Sequence, residues 1–323
     1  FVLCLFVLQK TNAQTDFPVS QATSAPMLIN PAAAGLFDDQ FRTFLNYKSQ
    51  IAKALAGGVK GVGFSADYNR KEDNMGFGLS IFSNSMNRTA LRDFNLLLSY
   101  GYRMQLNETN LVSFGVQSGF SQVGFSPGEL TFGSQYDPTY TGGRNPNLIP
   151  SDLPSSNKTN MDASVGVYWK SFFEPALLVK TGISAFHLIP TRVDFLSKET
   201  YISPKFVYNA EGRYVIDPFH WIASVMYVSQ RSSGDARPAQ AYTELGVTAE
   251  IRDGRSFVSI GLFHRTPNVI MPTIGIGMDK FALNLSIEYF LRNSFSQIFN
   301  ISLLYFPQIT LPQLKEPTSY FEF

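Results

Sequence analysis

The chain has 323 residues, 16% charged and 14% aromatic, with a formal net charge of +1 and a mean hydropathy of -0.03. Such a balance gives no reason to expect nucleic acid or an acidic substrate as a partner, and it excludes a bundle of apolar membrane helices. The charged fraction lies well below the roughly 25% of a soluble domain, which suits a chain whose alternate residues meet lipid.

Residues 1–14 read as the remainder of a secretory signal peptide. Phe1 to Leu8 is apolar, and Thr11-Asn12-Ala13 before Gln14 resembles a small-residue cleavage site. The single cysteine, Cys4, falls inside this stretch, so disulfide and thiolate chemistry are excluded from the mature chain. Residues 15–40 carry Pro18, Pro26 and Pro31 and are expected to form an ordered N-terminal periplasmic segment ahead of the first strand.

From Phe41 to Phe306 a two-residue rhythm dominates. In 244–251, Leu245, Val247, Ala249 and Ile251 alternate with Glu244, Gly246, Thr248 and Glu250. In 281–289, Phe281, Leu283, Leu285, Ile287 and Tyr289 alternate with Ala282, Asn284, Ser286 and Glu288. Successive strand side chains point to opposite faces, so each segment has one apolar face and one polar or glycine face. Strands are predicted at 40–48, 61–68, 75–84, 92–103, 110–122, 160–170, 176–187, 204–215, 220–230, 241–252, 256–265, 269–279, 281–290 and 297–306. A chain of about 14 such segments is expected to close into an all-β, antiparallel transmembrane β-barrel with lipid outside and a polar lumen inside.

The connections support that count. Every second one is short and rich in turn formers: Asn69–Asn74, Met104–Thr109, Ser171–Pro175, Ile216–Phe219, Asp253-Gly254-Arg255 and Asp279-Lys280. The alternate set holds the long ones, 123–159, 188–203 and 231–240. Short periplasmic turns opposite longer extracellular loops are the asymmetry of an outer-membrane barrel. Tyr100, Tyr102, Tyr168, Trp169, Tyr227, Tyr289, Phe290, Tyr305 and Phe306 fall near strand ends, where an interfacial aromatic girdle would place them. Residues 307–323 are read as a C-terminal periplasmic tail.

No catalytic, cofactor or metal site is predicted. His187, His220 and His264 lie on separate strand ends without a spacing partner, and Asp194 is the only acid read as near His187. The glycines Gly57, Gly58, Gly61 and Gly63 lead into a strand and lack the Lys-Ser/Thr ending of a phosphate loop. On the alternation, Asp67, Arg103, Gln117, Asp162, Lys180, Glu244, Glu250, Asn284 and Glu288 point into the lumen. They either pair with one another or grip a polypeptide threaded into the barrel. The partner-binding candidates are Gln117, Glu244, Glu250, Asn284 and Glu288 on the wall, with Asn30, Pro31 and Gly35 in the N-terminal segment. Those last three either fasten that segment to the barrel base or form part of a periplasmic docking face.

Met27-Leu28-Ile29-Asn30-Pro31-Ala32-Ala33-Ala34-Gly35, followed by Arg42 and Tyr47, resembles the opening of the PorP/SprF family of Bacteroidetes type IX secretion and gliding motility. The likeness continues through Gly76-Phe77-Gly78, Leu97 to Arg103, Gly166-Val167-Tyr168-Trp169, Gly182 to Leu188 and Ser296 to Leu303. Ala33 stands where the family has an aromatic, and Gln297 where it often has His. The resemblance implies a non-enzymatic outer-membrane barrel. Its expected partners are the C-terminal region of a secreted surface adhesin, the periplasmic ring components of the secretion machinery, or both. A porin or small-solute transporter is the alternative that barrel physics also permits.

Overall fold

The structure, a computed structural model, describes residues 25–52, 59–86, 91–125, 133–136, 139, 145, 147, 148, 156–174, 176–192, 201–231, 238–291 and 296–306. The expected signal remnant, the C-terminal tail and Asp194 lie outside them. In chain order the strands are β1 (Phe41–Ala52), β2 (Val59–Arg70), β3 (Met75–Met86), β4 (Leu91–Gln105), β5 (Asn110–Phe125), β6 (Ser156–Glu174) and β7 (Leu177–Phe186). After them come β8 (Thr191–Arg192), β9 (Tyr201–Ile202), β10 (Lys205–Ile216), β11 (Phe219–Arg231), β12 (Pro238–Asp253), β13 (Ser256–Arg265), β14 (Val269–Met278), β15 (Phe281–Phe290) and β16 (Ser296–Tyr305).

Fourteen of these strands form one closed barrel in which β1 pairs antiparallel with both β2 and β16. Closure satisfies every strand edge, the condition for spanning lipid with strands. The predicted strand count and order hold. The pair β8–β9 is a small hairpin between β7 and β10, outside the barrel and absent from the sequence reading. The strand β6 is also longer than predicted, running beside β5 from Phe125↔Ser156 to Asn110↔Ser171. Its first residues, Ser156-Asn157-Lys158-Thr159-Asn160, are polar on both faces, so alternation gave no signal there.

The pleat sorts the side chains as expected. Along β13 the inward residues Ser259, Gly261, Phe263 and Arg265 are buried, while Val258, Ile260, Leu262 and His264 are exposed. Large apolar residues cover the outer face, Ile260 at 69% and Ile183 at 63% exposed among them. This belt is the lipid-facing surface. Short turns gather at one end, closed by left-handed residues at Asn74, Gly254 and Asp279. Both Phe41 and Tyr305 also lie at that end, which the turn asymmetry marks as periplasmic.

Two aromatics predicted for the girdle point inward instead. Tyr168 is buried against Ala32 and Ala33, and Phe290 packs on Phe263, Val269 and Met271. The lumen is therefore not uniformly polar; the patch at Tyr168 meets the N-terminal segment, and the patch at Phe290 packs wall against wall.

Candidate functional site: the N-terminal segment inside the barrel

Residues 25–36 lie inside the lumen. Ala25, Met27, Ile29, Asn30, Ala32, Ala33 and Ala34 are each at most 6% exposed. Two short 3-10 turns, Pro26–Leu28 and Pro31–Ala33, shape the stretch, each opened by a proline whose missing N–H costs nothing there. Asn30 caps the second turn, its side-chain oxygen accepting from Ala32 N at 2.9 Å. The same side chain donates to Val167 O at 2.9 Å and Ile183 O at 3.3 Å, joining β6 and β7 through the plug.

The wall receives this segment in a trough of glycines. Gly76 stands opposite Gly101, Gly101 opposite Gly115 and Gly115 opposite Gly166, one unbroken register row across β3, β4, β5 and β6. On β7 Ser184 continues the row and donates to Ile29 O at 2.5 Å. A Cβ on Gly76 or Gly101 would strike Ala34 O, on Gly115 the Ala32 backbone, and on Gly166 Asn30 Oδ1. Only residues without a side chain let the two backbones approach this closely.

Polar wall groups then meet the backbone of the plug. Ser113 Oγ donates to Ala32 O at 2.7 Å. Arg103 Nη1 donates to Gly35 O at 2.6 Å, and its Nη2 reaches Arg70 O and Met75 O. Asp67 Oδ2 accepts from Gly35 N at 3.0 Å while both its oxygens take the Arg42 guanidinium at 3.0 and 2.7 Å. Such bidentate pairing is among the stronger polar contacts available to a protein. Gly35 itself turns the chain at φ +69°, a conformation glycine adopts without penalty. Beyond it the linker crosses the short-turn mouth: Asn69 Nδ2 donates to Phe37 O, Asp38 faces Lys170 at 3.9 Å and Asp39 faces Arg255 at 3.3 Å. Apolar contacts complete the fit, Ile29 with Phe186, Val207, Met226 and Val228, and Leu28 with Phe82 and Leu97.

Asn30, Pro31 and Gly35 are buried, Asn30 bonded to β6 and β7 and Gly35 to Asp67 and Arg103. Burial in the glycine trough removes them from the surface.

Across the lumen, toward the long-loop end, a second polar group of four closes the opposite wall. Arg265 pairs with Glu244 at 2.8 Å and Glu288 at 3.2 Å, and Lys48 faces Glu288 at 3.6 Å. The Arg265 guanidinium also lies 5.2 Å from the Tyr242 ring centroid. Two cations and two anions balance, tying β1, β12, β13 and β15 together. Glu244 and Glu288 are therefore engaged within the wall, as are Glu250 with Arg252 at 2.8 Å and Gln117 with Ser99 at 2.8 Å. Asn284 faces the lumen beside Gly275. Neither Arg265 nor Lys48 was singled out in the sequence, although both fall on the inward phase of their strands.

Beside Leu28 a small cavity is lined by Phe82, Leu97, Gln117, Asp162, Phe186, His187 and Lys205. His187 holds Asp162 Oδ2 through Nδ1 at 2.9 Å from a left-handed backbone position. Among the described residues no group of three or more His, Cys, Asp or Glu gathers to hold a metal.

A closed barrel with an apolar belt, short periplasmic turns and a lumen occupied by its own N-terminal segment defines a plugged outer-membrane β-barrel. The chain matches the family described as "Type IX secretion system membrane protein PorP/SprF" over residues 11–305. It belongs to that family and is an outer-membrane protein of type IX secretion. The segments that carried the sequence resemblance, from Met27–Gly35 to Gly76, Arg103, Gly166, Tyr168, Gly182 and Ser184, converge on the plug and its trough. Among solved structures the chain is similar to the toluene transporter TbuX of Ralstonia pickettii, with TM-score 0.53 and 12% identity over 87% of this chain and 92% of that one. It is also similar to the toluene transporter TodX of Pseudomonas putida, with TM-score 0.51 and 11% identity over 88% and 93%. At these identities the likeness is one of fold. Comparison with curated proteins finds no match.

Proposed function

We propose that this barrel carries out no chemistry of its own and serves type IX secretion by binding protein partners. It supports export and surface anchoring of a secreted adhesin through that protein's C-terminal region, or it links the outer membrane to the periplasmic ring components. One observation carries the reading: along β3–β7 the lumen is filled by the chain itself and held by Arg103, Asp67, Ser113 and Ser184. A route for solutes needs a continuous water-filled path, whereas a docking element needs a rigid, closed body.

The test is purification from the native outer membrane in mild detergent, with co-purifying proteins identified by mass spectrometry. A surface adhesin in the complex makes the protein an export and anchoring partner; ring proteins make it a link to the machine. Recovery of the barrel alone, together with steady conductance in a planar bilayer, would overturn the reading. That outcome would favour a small-solute transporter, for which the cavity beside Leu28, with apolar walls and Asp162, His187 and Lys205, is the supporting observation.

A further inference from the structure

The trough on the inner face of β3–β7 has the attributes of a peptide-binding groove. Its floor is a register-aligned row of glycines, its polar side chains meet the main chain of the segment, and apolar sockets take Leu28 and Ile29. Recognition is of main chain, small residues and the two apolar side chains, with Asn30 the polar side-chain determinant among the described residues. Main-chain hydrogen bonds supply affinity in such grooves, and pockets for selected side chains supply specificity.

The groove also carries polar groups that residues 25–36 leave without a hydrogen bond. One step toward the long-loop end, Asp162 Oδ1, Gln117 Oε1, Ser164 Oγ and Ser80 Oγ are buried and take no hydrogen bond from within the protein. Each of the four residues is at most 2% exposed. These are the same kinds of side chain, on β3, β5 and β6, that bind the plug one level below. Buried polar atoms without partners are uncommon in native proteins, and a cluster of them marks a place where something polar binds. The wall therefore offers more donors and acceptors than residues 25–36 take up.

We infer that this face is a peptide-binding groove and that residues 25–36 are its resident ligand, exchangeable for a segment of the exported polypeptide. The incoming segment takes the same short turns, carries Asn-Pro followed by small residues, and is long enough to reach Asp162 and Gln117. The identity of that occupant rests on the export reading above; the exchangeability of the plug does not. Tethering through the linker 37–40 keeps the resident at high local concentration, so the groove stays filled until a competitor arrives.

The experiment keeps the folded protein intact at the start. A protease site is placed in the linker at Asp38, its exposed residue, and the purified barrel is cut after folding. The cleaved segment is then allowed to dissociate on dilution, and a labelled peptide of residues 25–36 is titrated back. Release followed by saturable rebinding is expected. A peptide carrying Asn30→Ala should bind at least about tenfold more weakly, because three hydrogen bonds are lost. A peptide extended by several polar residues before Ala25 should bind more tightly than 25–36, and Gln117→Leu should abolish that gain alone.

Retention of the cut segment through prolonged dilution would overturn exchangeability, as would equal binding of the Asn30→Ala peptide. No gain from extension would overturn the reach to these polar groups, leaving ordered water as the partner of Asp162 and Gln117. Partner recovery by the uncut protein is scored separately, so failure of the export role and failure of the groove are distinguishable.

Discussion

Asn30 concentrates more of the architecture than any other side chain. It caps its own turn and bridges the main chains of β6 and β7, all at zero exposure. Replacing it with alanine leaves Val167 O, Ile183 O and Ala32 N to find other partners. We expect Asn30→Ala to destabilise the seated plug by about 2–3 kcal/mol. Limited proteolysis of residues 25–40, with the barrel still resisting unfolding in detergent, checks this. The opposite wall gives a second residue-scale test. Arg265→Met strands the Glu244 and Glu288 carboxylates inside the wall, and unpairing a buried network of this kind costs about 3–5 kcal/mol. Denaturant unfolding in micelles should show that loss. Glu244→Gln with Glu288→Gln leaves Lys48 and Arg265 without counter-charges in the same wall and should cost at least as much. A double variant that folds yet recovers less partner would mark these two residues as partner contacts, and one that recovers partner unchanged would rule them out.

At the scale of elements the central fact is the row of glycines. None of them is remarkable within its own strand, where a glycine on the inward face reads as ordinary lumen lining. Register turns four separate residues into one trough, because Gly76, Gly101, Gly115 and Gly166 are mutual cross-strand neighbours. Gly115→Val tests the trough directly. Its side chain would occupy the place of the Ala32 backbone, which has no flexible tip to move aside. The expected outcome is an inserted barrel with an unseated N-terminal segment, seen as rapid cleavage within residues 25–40 at unchanged heat-modifiable mobility. The outer face of the same strand is untouched, so insertion should survive.

Taken as a whole, the molecule has two walls fastened differently. One half of the lumen, β3–β7, is held by the plug; the other is braced by Lys48, Glu244, Arg265 and Glu288. We expect the intact protein to show no steady conductance in a planar bilayer, and a variant with the plug released to conduct. The buried pairs are poorly screened by salt, so closure of the intact barrel should persist between about 0.1 and 1 M salt.

The sequence by itself determined the barrel, its strand order, the lipid-facing phase and the side carrying short turns. All of these follow from a period-2 pattern and turn chemistry, which are local and survive without knowledge of neighbours. Its inward phase also placed Gln117, Glu244, Glu250 and Glu288 correctly in the lumen. What only the tertiary structure decided is who meets whom there. The pairing of Glu288 with both Arg265 and Lys48 joins residues far apart in the chain, and alternation says nothing about partners across a lumen. The same holds for His187, whose partner is Asp162 on the neighbouring strand. Tyr168 and Phe290 lie near strand ends, where an interfacial girdle is expected, yet their phase turns them inward. The entry of residues 25–36 into the barrel is the largest such decision. Prolines and small residues mark that segment as irregular, but its site is a cross-strand glycine row. The row exists only once β3 to β6 are in register.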